Sequence, residues 1–110
     1  MELEKMEKVN RILQLCFEIN GFEKRQKEYT GDKPTIIMYF YGHTAGLEIR
    51  IYEKGWICYE EKDKYAQADV EISIELYRPF HEIKEYMDEC ITYLESLKEV
   101  SQYECLQQAI

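Results

Sequence analysis

A chain of 110 residues with a formal charge of −8 and 45% hydrophobic residues has the size of one domain and the apolar content of an ordinary globular protein. A chain of that size buries roughly two-thirds of its unfolded surface in one core, which sets disorder aside. The acidity disfavours direct binding to a nucleic-acid backbone, which needs clustered lysine and arginine, and leaves a basic protein partner or nucleic-acid mimicry open.

Residues 2 to 20 are expected to form the first helix. Leu3, Met6, Val9, Leu13 and Cys16, with Ile12, Phe17 and Ile19 alongside, recur at steps of three and four and make a wide apolar stripe. Asn20-Gly21 ends it, because glycine suits the left-handed conformation after a helix. Residues 22 to 29 are almost wholly charged and alternate poorly, so any strand there is an edge strand guarded by its charges. Lys24-Arg25-Gln26-Lys27, the one basic stretch, reads as a solvated edge. Thr30-Gly31-Asp32-Lys33-Pro34 is a turn cluster.

Thr35 to Tyr41 is β-branched and aromatic on both faces and predicts a central strand. Being only seven residues long, this apolar run is far short of the roughly 20 needed to span a bilayer as a helix. The opening Met-Glu-Leu-Glu-Lys lacks the positive start and apolar block of a secretory signal. The expected location is therefore a cytoplasm, with no membrane contact. Cys16, Cys58, Cys90 and Cys105 are scattered without a Cys-x-x-Cys pair and are expected to be reduced and mostly buried rather than metal ligands.

Gly42 to Gly46 reads as a loop, and Leu47 to Glu53 as an alternating strand. The turn after it sets a register. A two-residue Lys54-Gly55 turn would pair Ile49 with Glu60, mixing apolar and charged groups on one face. A three-residue Glu53-Lys54-Gly55 loop with left-handed Gly55 instead pairs Ile51 with Ile57 and Ile49 with Tyr59, and sets Tyr52 opposite Trp56 and Arg50 opposite Cys58. The second register is the consistent one. Lys62 to Asp69 is a polar loop, and Val70, Ile72, Ile74 and Leu76 alternate with polar residues as a half-buried strand. Pro79 suits a helix start. Phe80, Ile83, Met87, Cys90, Leu94 and Leu97 then form a seam about 27 Å long, and the tail from Ser101 extends that helix or frays.

The expected fold class is α+β: an N-terminal helix, an antiparallel four- to five-stranded meander and a C-terminal helix, in a single domain over residues 1 to 110, with both helices on one face of the sheet. Ile36, Met38, Phe40, Ile49, Ile51, Ile57, Tyr59, Val70, Ile72 and Ile74 should face inward. Ile37, Tyr39, Tyr41, Arg50, Tyr52, Trp56 and Cys58 are left on the opposite face.

Catalytic patterns are missing: the sequence contains no nucleophile elbow, phosphate loop, dinucleotide fingerprint or His-Glu-x-x-His pair. His43 has no ligand at metal spacing and reads as a loop residue. His81 opens the last helix, where the positive helix end disfavours its charged form; in a small enzyme it would take the catalytic role, but the sequence identifies no neighbour for that role. Cys58 beside Arg50 would serve as an activated thiol in a small enzyme, but a small residue in an interface strand is the plainer reading. Most glutamates, such as Glu82, Glu85, Glu89 and Glu99, lie on helix faces away from the apolar seam. No cofactor, metal or catalytic residue is expected.

The feature that exceeds an ordinary surface is aromatic. Ten tyrosines and one tryptophan are many for this length, and such side chains give binding area at low entropic cost. Ile37, Tyr39, Tyr41, Arg50, Tyr52, Trp56 and Cys58 are therefore the candidate partner-binding residues, for a protein partner or for a second copy of the chain in an assembly or chaperone-like homodimer.

The segment KPTIIMYFYGHTAGLEIRIYEKGW, residues 33 to 56, resembles segments of small hypothetical proteins carried by phages and prophages of Gram-positive gut bacteria. The likeness rests on Lys-Pro, an apolar-aromatic strand, Gly-His, an alternating strand and Gly-Trp, and it brings no functional residues. Many small acidic proteins of such elements are similar to inhibitors of host defence, anti-CRISPR proteins among them. By size and charge, the resemblance implies a non-enzymatic inhibitor of a host or defence protein in the bacterial cytoplasm.

Overall fold

The computed structural model describes residues 2 to 56 and 68 to 108, with side chains described through residue 99. Helix α1 covers Glu2–Asn20, a short helix α2 covers Lys27–Thr30, strands β1, β2 and β3 cover Thr35–Tyr41, Gly46–Tyr52 and Val70–Glu75, and helix α3 covers Phe80–Gln108. The three strands form one antiparallel sheet in the order β1-β2-β3. No described helix is long and apolar enough to cross a membrane.

The seam on α3 is buried along its length: Phe80, Ile83, Met87, Cys90, Leu94 and Leu97 are each at most 9% exposed. It packs with Ile12, Leu15, Cys16 and Ile19 of α1 and with one face of the sheet, contributed by Ile36, Leu47, Ile49, Ile51, Ile72 and Ile74. Directly opposite residues of paired strands share a face, so Ile36-Ile51-Val70, Met38-Ile49-Ile72 and Phe40-Leu47-Ile74 make three apolar rows beneath the helices. Alternation thus places the core face as expected, with one departure. Phe40 keeps its register but is 66% exposed, because it stands at the end of β1 where α1 leaves it uncovered.

Three polar ties hold the layers in place. Asn20, the last residue of α1, donates its amide to the Ile36 carbonyl and accepts the Ile36 N–H, both at 2.8 Å. The side chain thereby stands in for a neighbouring strand at the outer edge of β1. At the other end of α1, Lys5 donates to the Leu76 and Arg78 carbonyls at 2.8 and 3.0 Å. Tyr93 of α3 donates to Glu53 in the turn after β2.

The hairpin expected after β2 is corrected. The positions opposite Ile51 and Ile49 belong to Val70 and Ile72, not to Ile57 and Tyr59, because β3 occupies the edge of β2 that β1 leaves free. Ile57, Cys58 and Tyr59 lie outside the described residues. Trp56 does not sit opposite Tyr52; it makes an isolated parallel bridge with Gln26, and its carbonyl accepts the Lys27 N–H at 2.7 Å. The edge strand considered at residues 22 to 29 is likewise replaced by that bridge and by α2. Three strands are therefore present among the described residues rather than four or five.

The turn chemistry nevertheless holds at Gly55, whose φ is +95°. A Cβ there would also stand 2.6 Å from the Gly31 carbonyl oxygen, so two backbones meet at a point that admits no side chain. Gly55→Ala is expected to destabilise the protein by about 1–3 kcal/mol, the cost of a strained backbone plus a steric shift. Gly21→Ala, at φ +68° with open space around it, should cost less. Urea denaturation of both variants checks this; equal losses would show that the Gly31–Gly55 approach carries no penalty.

Candidate functional site

The face of the sheet away from the helices carries Ile37, Tyr39 and Tyr41 from β1, Glu48 and Arg50 from β2, and Glu71, Ser73 and Glu75 from β3, in the rows Ile37-Arg50-Glu71, Tyr39-Glu48-Ser73 and Tyr41-Gly46-Glu75. Long side chains on neighbouring rows reach one another diagonally. The Arg50 guanidinium lies 5.2 Å from the centre of the Tyr39 ring, within cation–π range. Its Nε donates to Glu48 Oε1 at 2.9 Å, and the Tyr41 hydroxyl donates to Glu48 Oε2 at 2.8 Å. The Tyr39 and Tyr41 rings stack with centroids 6.1 Å apart and planes 18° from parallel.

Glu48 is the hub. Both its oxygens accept charge-assisted or hydroxyl hydrogen bonds, and two aromatic rings and a cation are oriented around it. The Tyr41 hydroxyl first, and Arg50 second, hold the Glu48 carboxyl below its ordinary range. In return, its own hydrogen bond to Glu48 raises Tyr41, and the separate bond from Nε raises Arg50 and keeps it charged. A matching group closes the β3 end: Tyr77 donates to Glu75 at 2.7 Å, Arg78 joins the same carboxylate, and the two together lower Glu75. Every shift on this face favours the form each group already holds at neutral pH, namely charged carboxylates and guanidinium and protonated phenols.

His43 stands in the loop between β1 and β2, exposed, with its ring edge-on to Tyr41 at 6.3 Å. That loop is closed by the Thr44 N–H on the Tyr41 carbonyl and by the Leu76 N–H on the Ala45 carbonyl, so His43 extends the aromatic row beyond the strand. His81 is exposed in the first turn of α3. Among the described residues no three His, Cys, Asp or Glu side chains gather as a metal-binding group.

Of the seven residues expected on this surface, the structure brings Ile37, Tyr39, Tyr41 and Arg50 together. Tyr39 and Tyr41 are 39% and 38% exposed. Tyr52 shares the face by register, opposite Thr35, but is only 6% exposed, at the end where the Gln26–Trp56 bridge closes the molecule. Trp56 is half-buried at that same bridge, and Cys58 lies outside the described residues. Glu48 was missed. Its signal is its place in the alternating strand, one residue from Ile49 and two from Arg50, on the side that faces Tyr39.

Comparison of the chain with protein-family models, with curated proteins and with solved structures finds no match, so the geometry of this face has to carry the functional reading.

The described thiols lie elsewhere. Cys16 and Cys90 are free and buried between α1 and α3. Burial, with Cys90 adding to it, pushes the Cys16 thiol up to about 12, and burial pushes Cys90 up to about 11. A raised thiol is a poor nucleophile at neutral pH because the thiolate is the reactive form. The unfolded chain loses these protons first, near the ordinary value of 9.0, so the stability they carry is complete below that pH and is lost as the pH climbs through about 11 to 12. Iodoacetamide labelling mapped by mass spectrometry should leave Cys16 and Cys90 unmodified in the native protein at neutral pH and label both in urea. Rapid native labelling of either would contradict the buried, protonated state.

Proposed function

We propose that this chain is a non-enzymatic protein-binding module that engages its partner through the far face of the sheet. The observation that carries this reading is the stacked Tyr39–Tyr41 pair, held by Arg50 and Glu48 on a face where no described helix packs. Tyrosine and arginine dominate interface hot spots. Here they are ordered before any partner arrives, which lowers the entropic cost of association. Pairing Arg50 with Glu48 also means that a partner covering this face buries few uncompensated charges.

The partner we propose is a host or defence protein met in a bacterial cytoplasm. The resemblance of residues 33 to 56 to small phage and prophage proteins supports it, as does a net charge of −8, which steers the chain toward a basic surface. In this reading the protein inhibits by occupying that surface, in the manner of an anti-CRISPR protein, and no residue performs chemistry.

The test pairs affinity with stability on the same variants. A partner captured from host extract on the wild-type protein, then purified, should bind Tyr39→Ala and Arg50→Ala more weakly by about 1–3 kcal/mol each. Neither variant should lose as much folding stability as Ile51→Ala, whose fully buried side chain leaves a cavity costing about 2–5 kcal/mol. Unchanged affinity in both variants would show that the face is not the binding surface. Unfolding of Tyr39→Ala as severe as that of Ile51→Ala would show it to be structural.

A further inference from the structure

Helix α1 is apolar over a wider arc than its own fold uses. Ile12, Leu15, Cys16 and Ile19 point into the core, yet Leu3, Met6 and Phe17 are 72%, 57% and 56% exposed. At 3.6 residues per turn, Leu3, Met6, Asn10, Leu13 and Phe17 fall on one arc beside the buried one. The surface continues past the helix in both directions. Phe22, 96% exposed, stacks on Phe17 with centroids 6.1 Å apart. Phe40 stands across an open groove of about 300 Å³ from Met6 and Leu13.

We propose that this face is a two-fold interface between two copies of the chain, with α1 packed antiparallel against α1 of the second copy. The area fits a second copy: at roughly 200 Å² for a large side chain, the exposed parts of Leu3, Met6, Phe17, Phe22 and Phe40 amount to on the order of 700 Å² per copy. That is close to the roughly 800 Å² per partner of a stable interface, and large for an apolar patch on a monomer. The pattern fits as well. The arc is nearly palindromic about Asn10, with apolar residues four and seven positions before it and three and seven after it. An antiparallel pair therefore sets Leu3 against Phe17, Met6 against Leu13, and Asn10 against its own counterpart on the axis. A single asparagine on an apolar seam fixes register.

Charge points the same way. The arc begins at Glu2, in the acidic first turn of α1, and beyond its other end the chain carries Lys24, whose ammonium lies over the Tyr29 ring and pairs with no carboxylate among the described residues. Antiparallel packing turns Glu2 of each copy toward the end of the other copy's arc that leads on to Lys24. Alongside, Ile36 turns its backbone to Asn20, so by the two-residue strand period Met38 and Phe40 turn theirs to the same outer edge, where no described residue pairs with them. The interface goes beyond the partner-binding reading and stands without it, since the aromatic face lies on the other side of the sheet.

Analytical ultracentrifugation of the full chain over a micromolar to millimolar range should give a reversible dimer. Met6→Glu and Phe17→Glu, which remove no core contact, should each weaken dimerisation by about tenfold or more while leaving the circular dichroism of the monomer unchanged. Tyr39→Ala should leave the dimer Kd as it is. Under mild oxidation Asn10→Cys should give a cross-linked dimer above the wild-type background, and Glu4→Cys, outside the arc, should not. A monomeric mass at every concentration overturns the proposal, as it would if another segment of this chain or a different protein covers the face. A dimer insensitive to both glutamate variants, or one cross-linked through Glu4→Cys and not Asn10→Cys, overturns it equally.

Discussion

Everything in this molecule follows from the covering of one sheet face by two helices. Three strands at roughly 4.8 Å spacing make a sheet only as wide as two helices lying side by side at about 8–10 Å. Helices α1 and α3 therefore cover one face, all but the Phe40 end of β1, and leave none of their length for the other. Ile49 and Ile51 of the middle strand, both fully buried, sit under the line where α1 meets α3. The far face is left mainly to side chains that tolerate water, chiefly tyrosines, glutamates and an arginine, among which Tyr41, Glu48 and Arg50 satisfy one another.

Periodicity within a single element was legible in the sequence wherever that element met one neighbour throughout. All six seam residues of α3 are buried, and the inward rows of β2 and β3 follow their alternation. The hairpin failed because a local partner was preferred to a distant one. Ile57-x-Tyr59 and Val70-x-Ile72 offer β2 the same two-residue apolar rhythm, and cross-strand complementarity cannot tell a partner close in sequence from one about twenty residues away. Tyr52 went with it. Its face follows from alternation, but its burial, at the end of β2 next to the Gln26–Trp56 bridge and the Gly31–Gly55 approach, is a tertiary effect that no single-element pattern encodes.

The candidate site divides in the same way. Tyr39, Tyr41 and Arg50 could be placed by strand parity alone. Glu48, which ties them together, could not be distinguished from any other solvent-facing glutamate until the diagonal reach between β1 and β2 was fixed by register. On α1 the apolar stripe is wider than the fold buries. Its stripe was rightly read as broad, but a helix lying beside one other helix and above one sheet buries only part of so broad a stripe. The surplus at Leu3, Met6 and Phe17 is a property of the packing, not of the helix.

The two exposed surfaces differ in kind, and the difference suggests separate uses. Interfaces that persist are more hydrophobic and resemble a core cut in half, whereas interfaces that form and part are about as polar as ordinary surface. The α1 face is apolar apart from one central asparagine. The sheet face is a hydrogen-bonded array in which Glu48 pairs with Arg50 and accepts the Tyr41 hydroxyl, and Glu75 pairs with Arg78 and accepts the Tyr77 hydroxyl. Water can cover the second at little cost and cannot do so for the first. With a net charge of −8 opposing self-association, only the apolar surface has a driving force large enough to hold two like-charged copies together. The polar aromatic face is suited instead to a partner of opposite charge, on the side of the sheet that such a pair would leave open.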